Sequence, residues 1–306
     1  MAKPPAKKRP TAQSHSKGKT SGRPAGLFTW LAVGLVVVII AVLVGVKVLS
    51  GSTSTTKTGF VAASPQIVGE LTGIPQSVFD SIGVTSSTVG VTPPSVFKTD
   101  PLLTTTVNGK KVPEVLYIGA EYCPYCAAER WSTIIALSRF GTWSNLGDMA
   151  SYSGDVYPNT QTFTFGEAKY TSKYLAFKSV EEYRSYLNSA GSYYATYQTP
   201  TKAQNALLTK YDSSAYFPGA TGTSIPFISI GNKILVSGAS YSPSALANLS
   251  REQIASTLST PSNLVSQAII ATANYLTASI CYITNQQPGS VCSSKGVEAA
   301  TKALKL

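Results

Sequence analysis

Residues Val115 to Phe140, VLYIGAEYCPYCAAERWSTIIALSRF, set two cysteines between an apolar run and an amphipathic one, and that order narrows the folds open to the chain. Val115-Leu116-Tyr117-Ile118 is near-continuously apolar, as a strand is when both its faces are buried. Gly119-Ala120 end the run, and Cys123-Pro124-Tyr125-Cys126 follow at once. Ala127, Trp131, Ile134 and Ile135 then recur at helical spacing, with Leu137 and Phe140 widening the apolar face. The predicted order is strand, tight turn, Cys-x-x-Cys, helix.

That order has a chemical consequence. A helix beginning at Cys123 places the thiol among free backbone N–H groups at the positive end of the helix dipole. Both favour a thiolate and lower the thiol pKa. Pro124 suits the first turn, where its missing N–H has no partner to lose. Cys126 lies one turn on and can reach the same sulfur, so Cys123 is expected to attack and Cys126 to resolve the mixed disulfide. Glu121 and Glu129 flank the pair; tuning its acidity is one role for them, and solvated surface carboxylates the favoured alternative.

The segment Ala120-Glu121-Tyr122-Cys123-x-x-Cys126 after a buried strand resembles the active-site segment of the thioredoxin superfamily, and Cys-Pro-Tyr-Cys is the tetrapeptide typical of glutaredoxins. The resemblance implies a thioredoxin-like α/β fold, a mixed sheet flanked by helices. It also implies a cis-proline loop facing the cysteines, which Thr223-Ser224-Ile225-Pro226 fits, followed by strand Phe227–Ile230, turn Gly231-Asn232-Lys233 and strand Ile234–Val236. In the superfamily the backbone at Ile225 and Pro226 shapes the substrate groove. Three departures are plain. Tyr117 stands where thioredoxins carry a buried carboxylate; no glutathione-binding pattern follows Pro226; Ala127 occupies the position of the histidine in a haem-attachment motif. The whole plan is also similar to a domain-of-unknown-function family of archaeal membrane-anchored proteins, a likeness that implies no activity.

Leu27 to Val46 is a stretch of 20 almost uniformly apolar residues. At 1.5 Å per residue it spans roughly 30 Å, the thickness of a bilayer core. It exceeds the roughly 7–15 residues of a secretory signal core, so residues 27–48 are expected to form a transmembrane helix in contact with lipid. Seven basic residues precede it, which puts the N-terminus in the cytoplasm and the remainder outside a single-pass cell membrane anchor. The net charge of +11 is local for the same reason: residues 1–49 hold eight Lys/Arg and no acid, and removing these from the 25 leaves 17 basic against 14 acidic residues. No nucleic-acid surface is expected. Charged residues make up only 13% of the chain, while there are 17 tyrosines and abundant Ser and Thr, suggesting a surface kept polar by hydroxyls.

All four cysteines follow the anchor, in a setting where disulfides persist. Cys281 ends a helical pattern and Cys292 follows the turn Gln286-Gln287-Pro288-Gly289. A structural disulfide is the main reading; a second redox pair or two free thiols are the alternatives. A four-cysteine zinc site lacks its second Cys-x-x-Cys half, so no metal is expected. The only histidine is His15, in the basic tail, which excludes Ser-His-Asp and Cys-His nucleophiles from the ectodomain. No phosphate-binding glycine loop is evident and no cofactor is expected.

The expected organisation is a basic tail at 1–26, the transmembrane helix at 27–48, and a linker and N-terminal extension at 49–100. A thioredoxin-like domain follows at 101–260, and a helical C-terminal extension at 261–306. Pro75–Ile82 reads as a short helix and Asn108-Gly109 as a hairpin turn. Inserted helices are expected over about 145–215, with Val180–Leu187 and Thr201–Tyr211 helical and Thr160–Phe165 a strand. Tyr183, Tyr186, Tyr193, Tyr194 and Tyr197 are expected to pack these helices over the active-site side, or else to bind partner polypeptide. Residues 243–258 and 262–281 read as two further helices, and Asn248-Leu249-Ser250 is a glycosylation triplet. The function these features predict is a thiol–disulfide oxidoreductase whose partners are protein thiols or disulfides outside the membrane, with a membrane electron-transfer partner besides. The alternative is a non-catalytic binding or structural module.

Overall fold

The structure is a computed structural model that describes residues 59–84 and 89–306. The basic tail, the transmembrane segment 27–48 and the following linker lie outside the described residues. The described chain is a mixed α/β fold. Its helices before the sheet are α1 (Pro65–Thr72) and α2 (Gln76–Ile82), and its first strands β1 (Ser95–Val96), β2 (Thr104–Val107) and β3 (Lys110–Gly119). Then come α3 (Pro124–Ser138), β4 (Gly141–Ser144), β5 (Gly147–Ala150), β6 (Gln161–Thr164), β7 (Lys169–Ser172) and β8 (Ala176–Glu181). The chain continues through β9 (Tyr183–Leu187), β10 (Tyr194–Thr196), α4 (Lys202–Tyr211), β11 (Phe227–Ile230) and β12 (Ile234–Ser237). It ends with α5 (Arg251–Thr257), α6 (Leu264–Ile283), α7 (Gly289–Cys292) and α8 (Lys295–Leu304).

β3 is the strand on which the sheet is built. Its first half pairs antiparallel with β2 across the Asn108-Gly109 turn, whose φ angles of 48° and 76° are those an Asn-Gly hairpin needs. Its second half pairs parallel with β8 on that side, and antiparallel with β11 on the other. β12 and β1 extend the sheet beyond β11. Alternation along β3 serves two cores: Val115 and Tyr117 join the main core, while Leu116 and Ile118 join a smaller one with Val180, Leu208, Tyr211, Phe227 and Leu235. The continuous apolar run is therefore the signature of burial on both faces.

The main core lies between the sheet and the paired helices α3 and α6. Among the described residues α6 is the one helix long and apolar enough to cross a membrane, yet it is mostly buried inside the protein. Several of its polar side chains are met there, though Thr272 Oγ1 and Asn274 Oδ1 are buried without a partner. Asn274 Nδ2 donates to the carbonyls of Phe79 and Gly83 at 2.9 and 2.8 Å, closing the C-terminal end of α2, and Thr277 and Ser279 donate back to their own helix. Gly296 of α8 lets the chain pass against this point, since a Cβ there would stand 2.4 Å from the Phe79 carbonyl oxygen. The Cys281–Cys292 disulfide, with Cα atoms 5.6 Å apart, ties the end of α6 to α7.

Three expectations are corrected. The insertion is not helical: over residues 145–215 only α4 is a helix longer than a turn, and β4–β7, β5–β6 and β9–β10 form two-stranded antiparallel units. Val180–Leu187 has helical spacing, but Val180 and Glu181 complete β8 and the chain continues as β9. There the N–H of Glu182 meets the Gly119 carbonyl and the Tyr183 carbonyl takes the N–H of Glu121, each at 2.8 Å. Pairing along β3 and its following turn outweighs the local pattern. Residues 243–258 are not one helix but a 3₁₀ turn at Pro243–Leu246 and a separate α5. Asn248, at φ 63°, breaks the run, and a Ser250/Gln253 capping box starts α5 afresh. A helix not anticipated, α1, is opened by Ser64 as N-cap and Pro65 at its first position.

Leu116 has no exposed surface. Leu116→Ala is expected to lower stability by about 2–5 kcal/mol in urea unfolding, with a weakened β3–β11 pairing visible in amide exchange.

Candidate active site

The site is made where β3 runs out. The carbonyl of Ala120 accepts the N–H of Cys123 at 3.3 Å, and Cys123 becomes the N-cap of α3. Its Sγ accepts the N–H of Cys126 at 3.2 Å, taking the place a serine or aspartate oxygen fills at an ordinary helix start. Pro124 occupies the first helical position. Facing the pair, the Ile225–Pro226 peptide bond is cis, and the Cys123 thiol donates to the Ile225 carbonyl at 3.8 Å. Both cysteines are free thiols; Cys123 keeps 5% of its surface exposed and Cys126 none, while Tyr125 stands out at 41%.

The two thiols are electrostatically unlike. Hydrogen bonding from Cys126 lowers the pKa of Cys123 against the opposing effect of burial, and the Arg130 charge adds to the lowering. Burial pushes the Cys126 thiol well up, with the bond to Cys123 raising it further. A low-pKa outer thiol over a high-pKa inner one is the arrangement in which the first attacks and the second resolves.

Glu121 and Glu129 are not surface carboxylates. Glu121 is buried beside the pair; its Oε1 accepts from Thr164 Oγ1 at 2.7 Å and lies 3.4 Å from Arg184, and burial raises its pKa. Glu129 is fully buried and accepts from the N–H and hydroxyl of Ser240 at 2.8 and 3.1 Å; burial lifts it to about 7. Both fall on α3 or its entry, and every residue of α3 from Cys126 to Leu137 is buried, so no face was left there for Glu129 in water.

Sequence reasoning missed the strongest ion pair. Arg130 and Glu181 are wholly buried, with Nε and Nη2 donating to the carboxylate at 2.9 and 2.6 Å. Nη2 also donates to the Ala120 carbonyl at 2.7 Å. The visible signal was an arginine inside the apolar pattern of Ala127, Trp131 and Ile134; its partner, 51 residues away, has no spacing that betrays it. Tyr117, six residues before Cys123, is fully buried, packs edge-on to Phe165 at 4.9 Å, and is pushed well up in pKa by burial.

Of the insertion's tyrosines, Tyr183 and Tyr186 sit on β9 and Tyr194 on β10, with Tyr193 and Tyr197 on either side of β10. Tyr194 stacks on Tyr122 with centroids 3.7 Å apart, Tyr152 meets Tyr194 edge-on, and Tyr125 pairs with Tyr157. Tyr193 remains 75% exposed. Cys281 and Cys292 are bonded to each other and buried in the main core. Among the described residues no group of three or more His, Cys, Asp or Glu is placed to hold a metal. A surface groove of about 440 Å³ lined by Ala62, Val68, Trp143 and Leu146 carries no titratable side chain.

A mixed α/β chain with a dithiol at a helix N-terminus is thus the class that fold and site define. The family model described as a domain of unknown function (DUF929) matches residues 102–282, more than half the chain, and the chain belongs to that family. No curated protein and no solved structure matches it.

Because the carboxyl of Glu129 is raised when folded, the folded state holds its proton between about 4.5 and about 7 while the unfolded state does not. Stability contributed by this group is therefore present at low pH and lost as pH rises through that window. Glu129→Gln is expected to flatten the decline, which amounts to about 3 kcal/mol at most, in urea midpoints measured from pH 4.5 to 8.

Proposed function

We propose that the chain is a thiol–disulfide oxidoreductase of thioredoxin-like fold, anchored by residues 27–48 and acting outside the membrane on envelope or secreted proteins. The observation that carries this reading is Cys123 at the start of α3, its sulfur hydrogen-bonded by the Cys126 N–H and facing the cis Ile225–Pro226 bond. The sheet order β8–β3–β11–β12, with β8 parallel to β3 and β11 antiparallel, supports the superfamily assignment. So does the placement of α3 between β3 and β8 and of α6 after β12. The anchor and its orientation rest on the apolar run and the basic residues before it.

The chemistry is thiol–disulfide exchange and needs no cofactor. With the pair oxidised, a substrate thiolate attacks Cys123 Sγ, the S–S bond breaks, and Cys126 leaves with the electron pair and takes a proton. A second substrate thiolate then attacks the substrate sulfur of the mixed disulfide, and Cys123 leaves as the thiolate. Run backward, the same steps reduce a substrate disulfide. The helix start stabilises Cys123 as leaving group or nucleophile, and the high pKa of Cys126 keeps it protonated until it must resolve.

A second reading, a binding module with an inert cysteine pair, draws on the slight exposure of Cys123. The two separate in one experiment. Cys126→Ser is expected to accumulate a mixed disulfide through Cys123 when its thiolate attacks disulfide-bonded substrate proteins, the displaced substrate thiol leaving with the electron pair, and Cys123→Ser to abolish exchange at unchanged thermal stability. Absence of any adduct, with Cys123 unreactive toward iodoacetamide at pH 7, would leave the binding module.

A further inference from the structure

Between Cys126 and the interior of the fold stands a charge that the exchange mechanism does not use. Arg130 follows Cys126 by four residues on α3, so the two side chains share one helix face, one turn apart. The guanidinium has no exposed surface. It is tied at two points. Through Nη2 it holds the Ala120 carbonyl, the same oxygen that receives the Cys123 N–H, so it reaches the active-site turn itself. Through Nε and Nη2 it holds Glu181 of β8. That carboxylate also accepts the N–H of Phe165 at 3.2 Å, which fixes it on the far strand. The Tyr117 ring lies beside the guanidinium, 5.8 Å from Cζ to centroid, and Glu121 is the other carboxyl nearby. Nη1 of Arg130 and the hydroxyl of Tyr117 are buried without partners.

We propose that the buried Arg130 guanidinium, held behind the dithiol by Glu181, stabilises the reduced pair and so poises it to accept electrons and form disulfides in its substrates. The inference rests on the oxidoreductase reading and adds its direction. The reduced pair carries a thiolate at Cys123 that a fixed cation favours; the disulfide carries no charge and gains nothing from it. Stabilising the reduced form is what makes a dithiol an oxidant. The carboxylate does not cancel the effect, because it is held on the far side of the guanidinium by the Phe165 N–H while Nη2 reaches the Ala120 carbonyl at the turn. The Arg130 charge lowers the pKa of both thiols, in keeping with this placement.

In the forward reaction a substrate dithiol loses two electrons and two protons, and the Cys123–Cys126 disulfide gains them. A second disulfide, glutathione disulfide in the test below, returns the pair to its oxidised form.

The test compares three full-length proteins in a glutathione buffer with thiol trapping: the native chain, Glu181→Gln, and the double variant Arg130→Met/Glu181→Leu. The double variant removes both charges at similar volume, avoiding the uncompensated buried ion that a single deletion leaves. At a fixed buffer its ratio of reduced to oxidised pair is expected to fall about tenfold, about 30 mV, while Glu181→Gln holds or raises the native ratio. A synthetic peptide with two reduced cysteines should be oxidised by the double variant to a correspondingly smaller extent. Should the double variant not fold, Arg130→Lys and Arg130→Gln replace it, with Lys expected within threefold of native and Gln displaced. A double-variant ratio within twofold of native, or both charge variants moving in one direction, overturns the proposal, since a structural role alone would do either. If the native pair fails to equilibrate with glutathione, the oxidoreductase reading fails separately. The thiolate absorbance of Cys123 in a Cys126→Ser background then still reads Arg130: its titration midpoint must rise in the double variant, and an unmoved midpoint sinks the inference.

Discussion

The second half of β3 has no free side. Its two faces feed two cores, and it is paired by β8 along one edge and β11 along the other, so the backbone groups and side chains of Val115–Ile118 are committed within the protein. A strand held in this way cannot slip, because a one-residue shift would exchange Val115 and Tyr117 with Leu116 and Ile118 between cores already filled. Its end is therefore fixed in space. The turn at Gly119–Ala120 can deliver the chain to one place only, and there Cys123 begins α3. The Ala120 carbonyl, taking both the Cys123 N–H and Arg130 Nη2, locks the rotation of the helix against the strand. Removing one partner of the Arg130–Glu181 pair would cost about 3–5 kcal/mol, because a lone buried ion would remain; the register of helix on strand is that strongly held.

How much of this was readable follows from the range of each interaction. The β3–turn–α3 unit, the Asn108-Gly109 hairpin, the β11–β12 hairpin and α4 were legible, because each is set by contiguous residues whose turn or cap chemistry is local. The Cys281–Cys292 bond was legible from a short loop. Thr160–Phe165 was legible as the strand that becomes β6, but the end of β8 and the β9–β10 hairpin after it were not. Tyr183 and Tyr186 follow Val180 at helical spacing, and only the edge of β3, some 60 residues earlier, makes an extended path preferable. Glu121 and Glu129 were misplaced in the same way: a carboxylate on a helix is ordinarily wet, and its burial depends on Thr164 and Ser240, which come from other elements. The capping box at Ser250 and the proline-led start of α1 were present in the sequence as local signals.

Low surface charge and a strongly charged interior belong together in this chain. Among the described residues four acidic side chains are buried, Glu121, Glu129, Glu181 and Asp212, and each is bonded to another element. Glu121 joins the turn to β6 and to Arg184 of β9; Glu129 joins α3 to the Ser240 segment after β12. Glu181 joins β8 to α3, and Asp212 accepts the N–H of Ser224 at the head of the cis-proline loop. Such contacts are worth little in water but are costly to break when dry. They hold the four walls of the site in place without adding to its surface, where hydroxyls and tyrosine rings predominate. Among the described residues the one buried cation, Arg130, follows Cys126 by one helical turn. Each of the four carboxylates is met by a donor from another element, and Glu181 is the one that holds that cation.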